Sequence, residues 1–402
     1  SPLQIIFWVF SENILHLCEQ TTKMMRLQKI GLLLLLMLIS WLPLRADYLL
    51  IPMDKSQTDH LKAYGVAYWV IAHGIEVEWM LNYRGGSFCC KFTGSIETEL
   101  QVRDVRYEKI SDGKHLEIIG QITSESVNMD VVKLEKAPKI AVYSPKSKQP
   151  WDDAVTLVLT YAEIPYDLVY DTEVMDGKLA EYDWLHLHHE DFTGQYGKFW
   201  AQYHTADWYQ EQVAENETIA KKYGFNKVSR LKLAVAKKIK EFVESGKFLF
   251  AMCSATDTYD IAMSAEETDI CEQMYDGAPA DPKCQDKLDY TKGLAFQNYT
   301  LERNPVTYEH ANIDATYGRA VPQDMDYFTL YEFSAKWDPV PTMLCQNHTT
   351  TINGFMGQTT AFVKKFIKPE VLVMGEFKAQ NEARYIHGNI GRGMWTYYGG
   401  HD

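Results

Sequence analysis

The sequence predicts an α/β protein, a mostly parallel, doubly wound sheet preceded by a small α+β domain. Two observations carry this. From Lys139 onward, short apolar runs of strand length alternate with helix-like stretches, the rhythm of a parallel sheet covered on both faces. Within that rhythm, Lys247–Met252 (KFLFAM) runs straight into Cys253 and then Ser254, Ala255, Thr256 and Asp257. That is a buried strand, a sharp turn and a helix start.

The chain has 402 residues and a net charge of −14. At its front, Met24, Met25, Arg26 and Lys29 form a short basic region, followed by an apolar run from Ile30 to Leu42 and by Leu44-Arg45-Ala46. This is the layout of a secretory signal peptide cleaved after Ala46, and the run is short for a membrane span, which needs about 20 residues. Residues 1–24 read as an upstream segment foreign to the protein, and 25–46 as the signal, so the expected location is periplasmic or extracellular. Removing 1–46, which carries four basic and two acidic residues, takes the charge from −14 to about −16. So acidic a chain argues against nucleic acid and fits small molecules or neutral polymers. No membrane contact is expected once the signal is cleaved.

Residues 47–135 read as the small domain. Tyr48–Pro52 is strand-like, Lys55–Ile71 helix-like from about Ser56, and Val77–Tyr83 strand-like up to a turn at Gly85-Gly86; His115–Ser124 is ambiguous. Cys89 and Cys90, on one strand, would face opposite sides. Residues 136–402 hold the larger domain, with strands at Ile140–Tyr143, Tyr166–Tyr170, Asp183–His188, 248–252, Pro369–Met374 and Met394–Tyr398. Helices are expected at Trp151–Glu163 and Lys232–Ser245. Two insertions interrupt it. Asp191–Ala214 is rich in aromatics, and Glu266–Pro322 is polar and irregular, with Cys271 and Cys284 as the expected disulfide.

In sheets of this kind the site lies beyond the carboxyl ends of the strands, where Tyr143, His188 and Cys253 all fall. Cys253 at a strand-to-helix turn has the setting of a nucleophile elbow, with alanines at 251 and 255 where glycines are usual; the alternative is a structural cysteine at a strand end. His186, His188 and Glu190 offer a second constellation. Imidazoles and a carboxylate suit Zn²⁺ or a similar cation, though a single working histidine among neighbours reads equally from the pattern, and no cofactor is required. The aromatic insertion, with Trp200 and Trp208, could stack on sugar rings or simply pack onto the domain.

Lys139–Ser144 (KIAVYS), Tyr182–His189 (YDWLHLHH), the elbow at Cys253 and the closing Gly391–Asp402 (GRGMWTYYGGHD) together resemble the class I glutamine amidotransferase-like superfamily and, within it, the ThuA-like group. Leu61–Tyr68 (LKAYGVAY), Trp151–Leu159 (WDDAVTLVL) and His188–Gly194 (HHEDFTG) resemble a family of secreted bacterial proteins often labelled asparagine synthetase B.

The superfamily resemblance implies a flavodoxin-like fold over about 137–402. It implies Cys253 as nucleophile, His401 as base with Asp402 orienting it, His387 as the second choice for base, and the N–H of Ser254 as an oxyanion donor. A small amide or acyl compound would be cleaved. The ThuA-like resemblance implies a cysteine-independent alternative in which His188, His189, Glu190, Trp200 and Trp208 hold a glycan or glycoconjugate. The synthetase label implies an N-terminal cysteine and an ATP loop. Cleavage after Ala46 would instead expose Asp47, and no Gly-x-x-x-x-Gly-Lys-Ser/Thr loop occurs. The chain stops inside the closing signature, so a fragment is expected.

Overall fold

The computed structural model describes Met24 and residues 47–145, 154–315, 322, 325–345, 347–354, 357–377 and 380–400. The chain divides at Asp47/Tyr48, and everything below concerns the unit Tyr48–Asp402. The signal-peptide reading, the start of the helix expected at Trp151, and His401 and Asp402 lie outside the described residues. Among the described residues no helix is long and apolar enough to cross a membrane.

The first 90 residues of this unit build a five-stranded antiparallel sheet. Its strands are β1 (Tyr48–Ile51), β2 (Val77–Leu81), β3 (Ser87–Lys91), β4 (Glu108–Ile110) and β5 (Asp130–Leu134), in the order β4-β1-β3-β2-β5. Strand alternation sends Leu49, Ile51, Val77, Phe88 and Cys90 to one face, under α1 (His60–Ala72) and α2 (Gly94–Val102). It sends Leu50, Met80 and Cys89 to the other, under α3 (Asp112–Ile122). The adjacent cysteines thus face opposite sides, as alternation requires. Asp59, Thr93 and Ser111 cap the three helices with side-chain oxygens. Asp59 therefore starts α1 later than Ser56 suggests, and Ser111 makes a helix of the ambiguous stretch after His115.

The second sheet is mixed. Its strands are β6 (Ile140–Tyr143), β7 (Asp167–Val169), β8 (Trp184–Leu187), β9 (Phe248–Met252), β10 (Tyr327–Leu330), β11 (Thr351–Asn353), β12 (Phe362–Val363), β13 (Leu372–Phe377), β14 (Glu382–Ile390) and β15 (Gly393–Tyr398). They lie in the order β11-β10-β13-β14-β15-β9-β8-β6-β7, with β12 against β14. β7, β6, β8, β9 and β15 run parallel; β11, β10, β13 and β14 extend the sheet antiparallel. The molecule is α/β overall, but "mostly parallel" overstates it. Two residues join β14 to β15, and so short a connection can only make a hairpin. Gly391 there, at φ 58°, brings the turn against Glu244, with no room for a Cβ.

Both faces of the parallel half are covered. Tyr143, Leu185, Leu187, Leu249, Ala251, Trp395 and Tyr397 face α5 (Asp171–Met175), α7 (Val228–Glu244) and α8 (Ser254–Ser264). Ile140, Val142 and Met252 face α4 (Ala154–Tyr161). α6 (Asp207–Lys222) packs on α7. The α7 stripe Leu231, Val235, Ile239 and Phe242 follows the helical period into the core. The insertion 266–315 is irregular, as expected, and is anchored by the Asp260 carboxylate, which accepts the N–H groups of Leu294, Ala295 and Phe296 at 2.9, 2.7 and 2.8 Å.

Candidate functional site

Cys253 leaves β9 with φ 49° and ψ −140° and caps α8. A side chain is held there only when the surroundings over-determine the backbone. They do: the Cys253 N–H donates to the carbonyls of Tyr398 (3.3 Å) and Gly400 (3.1 Å) at the end of β15. Ser254 Oγ donates to the His189 carbonyl at 2.7 Å, and Thr258 Oγ1 to those of Ser254 and Glu190, tying α8 to the loop after β8. The fold thus brings together two of the stretches singled out from sequence, the elbow and the histidine loop.

The electrostatics of the thiol are not those of a resting thiolate. Cys253 is buried, and its Sγ donates to the Gln358 carbonyl at 3.2 Å. Burial, and behind it the charges of Asp257 and Asp314, push the thiol up to about 12, against the pull of the Ser254 N–H.

His387 does not reach the elbow. It pairs with Thr396, which pairs with Phe250, three residues before Cys253; at standard strand spacings that is about 14 Å away. Its Nδ1 lies 3.1 Å from Thr396 Oγ1, and burial holds the imidazole below its ordinary range.

At the histidine loop, the His188 N–H donates to Glu190 at 3.3 Å, and the Nδ1 atoms of His188 and His189 are 3.1 Å apart. His186 stacks on Phe250. Among the described residues, two groups of three bring metal-ligating atoms within 4.8 Å of one another, Glu78/Cys89/His115 and Asp269/Cys271/Asp276. His186, His188 and Glu190 are not one of them. Cys271 and Cys284 are free thiols, as are the other four described cysteines, which corrects the expected disulfide; Cys271 Sγ donates instead to the Thr193 carbonyl.

The aromatic insertion folds onto itself. Trp200 stacks on His204, and Trp208 packs against Phe199, Tyr203 and Tyr209. Both tryptophans are half-buried against the main core.

Two buried clusters were not foreseen. Beneath the carboxyl ends of β6 and β7, Lys232 Nζ lies 2.9 Å from Asp171 and 3.0 and 3.2 Å from the hydroxyls of Tyr170 and Tyr143; Tyr143 also donates to Asp171. Next to the elbow lie Asp257, Glu309 and Asp314. Burial first, then the Asp314 hydrogen bond and charge, push Glu309 up to about 11. Burial and Asp314 hold Asp257 well above the carboxylate range. Thr359 donates to both aspartates. Glu309 and Asp314 line a cavity of about 500 Å³ with Glu302, Glu382, Thr300 and Asn312; Cys253 is not among its described lining residues. Asp257, four residues after the elbow, lies in the helix start that the sequence marks; Glu309 and Asp314 sit in an insertion with no periodicity to mark them.

The arrangement is that of an α/β protein with a strained cysteine elbow at a parallel strand end and a carboxyl-lined cavity beside it. No family model matches the chain, and no curated protein matches it.

Proposed function

We propose that this chain is an exported class I glutamine amidotransferase-like protein of flavodoxin-like fold, acting as a cysteine-dependent amidohydrolase on a small amide or acyl compound. The observation that carries the reading is the Cys253 backbone, since strain at one non-glycine residue between a parallel strand and a helix has a use in presenting a nucleophile. The strand order β7-β6-β8-β9-β15 supports the fold, being that of flavodoxin-like sheets.

The thiol is neutral at rest, so the proton leaves during attack. Cys253 Sγ bonds to the carbonyl carbon as its proton passes to His401, the residue after elbow-bound Gly400. The C–N bond then breaks, the amine leaves with that proton, and water hydrolyses the thioester. The helix-start N–H of Ser254 stabilises the oxyanion. Cys253→Ala should abolish turnover across a panel of small amides and thioesters while leaving the melting temperature near that of the parent. Undiminished turnover sinks the reading.

A second reading is favoured by the cavity, whose described lining is rich in carboxyl and amide groups and does not include Cys253. In it the protein holds a glycan or other polyhydroxylated ligand through carboxyls and amides, without covalent chemistry. Calorimetric titration with oligosaccharides separates the two. Binding that survives Cys253→Ala and is lost in Glu309→Gln supports the second; binding absent from both parent and variants discards it.

A further inference from the structure

We propose that Glu78, Cys89 and His115 form a binding site for a divalent cation of the zinc class, on the α3 face of the antiparallel sheet. Glu78 and Cys89 are cross-strand partners on β2 and β3, so both side chains point to one face. His115, from the first turn of α3, covers that face, and its Nε2 lies 2.6 Å from Glu78. The ligand atoms of all three lie within 4.8 Å of one another. Tetrahedral zinc, with bonds of about 2.0–2.3 Å, places its ligands about 3.3–3.8 Å apart. The group therefore closes by at most about 1 Å on Cys89 while the Glu78–His115 contact opens by a little under 1 Å, both within reach of side-chain adjustment.

Three further features fit an ion. Thiolate, imidazole and carboxylate are the donor set zinc takes, and the two anions neutralise its charge, so the occupied site can be buried. The surroundings are otherwise apolar, Leu50, Met80, Ile118 and Ile122. His115 is buried, with the Tyr48 ring stacked on it at 3.9 Å, so its imidazole is held in place over that face. The Glu78 side chain keeps 19% exposure, leaving an entry path and room for water as fourth ligand. On binding, the Cys89 S–H bond breaks and its proton goes to solvent, the proton between His115 Nε2 and Glu78 moves to Nδ1, and S–, N– and O–metal bonds form. The other three-residue group lacks this case, because Lys227 already sits 2.5 and 2.9 Å from Asp269 and Asp276.

The test uses the full chain stripped with chelator, titrated with Zn²⁺ by calorimetry and with Co²⁺ by absorption. One equivalent should bind, and Co²⁺ should show a thiolate-to-metal charge-transfer band. Cys89→Ser should abolish the band, and both it and His115→Gln should weaken binding by at least the roughly 100-fold that loss of an outer-shell partner can cause. Cys271→Ser should change neither. Glu78→Gln, close in shape, serves if the other variants fail to fold, and should weaken Zn²⁺ binding with secondary structure intact. Absence of saturable binding, binding unaltered in the folded variants, or a band that disappears with Cys271→Ser overturns the proposal.

Discussion

At the carboxyl ends of one sheet the protein buries two sets of charges and treats them differently. Asp171 is fully buried but is met by Lys232 and two tyrosine hydroxyls. Asp257, Glu309 and Asp314 are buried together, and burial and their mutual charges hold Asp257 and Glu309 above the carboxylate range. The first set is a closed account of charge, joining β6, β7 and α7. The second keeps protons that water would remove, beside a cavity and a strained cysteine. Burial matched by a cation reads as architecture, and carboxyls that keep their protons beside a cavity read as a site.

The largest expected effect breaks the compensated side. Lys232→Met leaves Asp171 charged and unmatched in a dry interior, which should cost about 3–5 kcal/mol by chemical denaturation. Lys232→Met with Asp171→Leu should recover much of that loss, because the stranded charge goes too. A double variant as unstable as the single would show that the tyrosine hydroxyls, rather than the ion pair, set the energetics.

Asp191 tests an intermediate case. Burial works against its carboxylate, but the His310 charge and hydrogen bond, with donors from Thr193 and Gly197, hold it below the usual carboxylate range. A depressed pKa contributes stability that is present above the unfolded carboxylate value and is lost as pH falls from there through the lower folded value. Asp191→Asn should therefore cost about 1.5–3 kcal/mol at neutral pH, the value of a charged hydrogen bond, and the difference from the parent should shrink in acid. A constant difference across pH would assign the loss to packing.

The parts legible in sequence are those whose apolar pattern matches their surroundings. Val77–Leu81, Ile140–Tyr143, Phe248–Met252 and Gly393–Tyr398 announce themselves because the sheet around them is apolar. β14 was invisible because its burial is polar. Arg384 is fully buried on Asp326, His387 on Thr396, and Glu382 also faces the interior, so no run of hydrophobics marks nine residues of strand. α8 is legible only at its start after Cys253, because its burial too is polar: Asp257, Thr258 and Asp260 are buried and bond to the Thr359 hydroxyl, the Glu190 carbonyl and the Leu294 N–H. The carboxyl cluster joins Asp257 to residues 52 and 57 positions further on, and so long a separation gives no motif to report it. The aromatic insertion was legible as composition only; which rings would be spent on one another is decided by packing.

The smallest expected effect, and the one that sharpens the comparison most, is the pH dependence of Glu309. Its folded pKa, pushed up to about 11, lies above the ordinary carboxyl value of 4.5. In that window the native state holds a proton the unfolded chain has released, so this group contributes a stability that falls as pH rises. The slope from one such group is at most roughly 1.4 kcal/mol per pH unit, and the Asp314 partner spreads it over the pair. Glu309→Gln keeps the shape and cannot ionise. It should flatten the decline of stability between neutral and alkaline pH, while leaving acid stability near the parent's. Lys232→Met should leave that decline in place, since its carboxylate belongs to the other cluster. If Glu309→Gln and the parent lose stability in parallel above neutral pH, the carboxyl cluster is not holding its protons against solvent, and the distinction between the two burials fails.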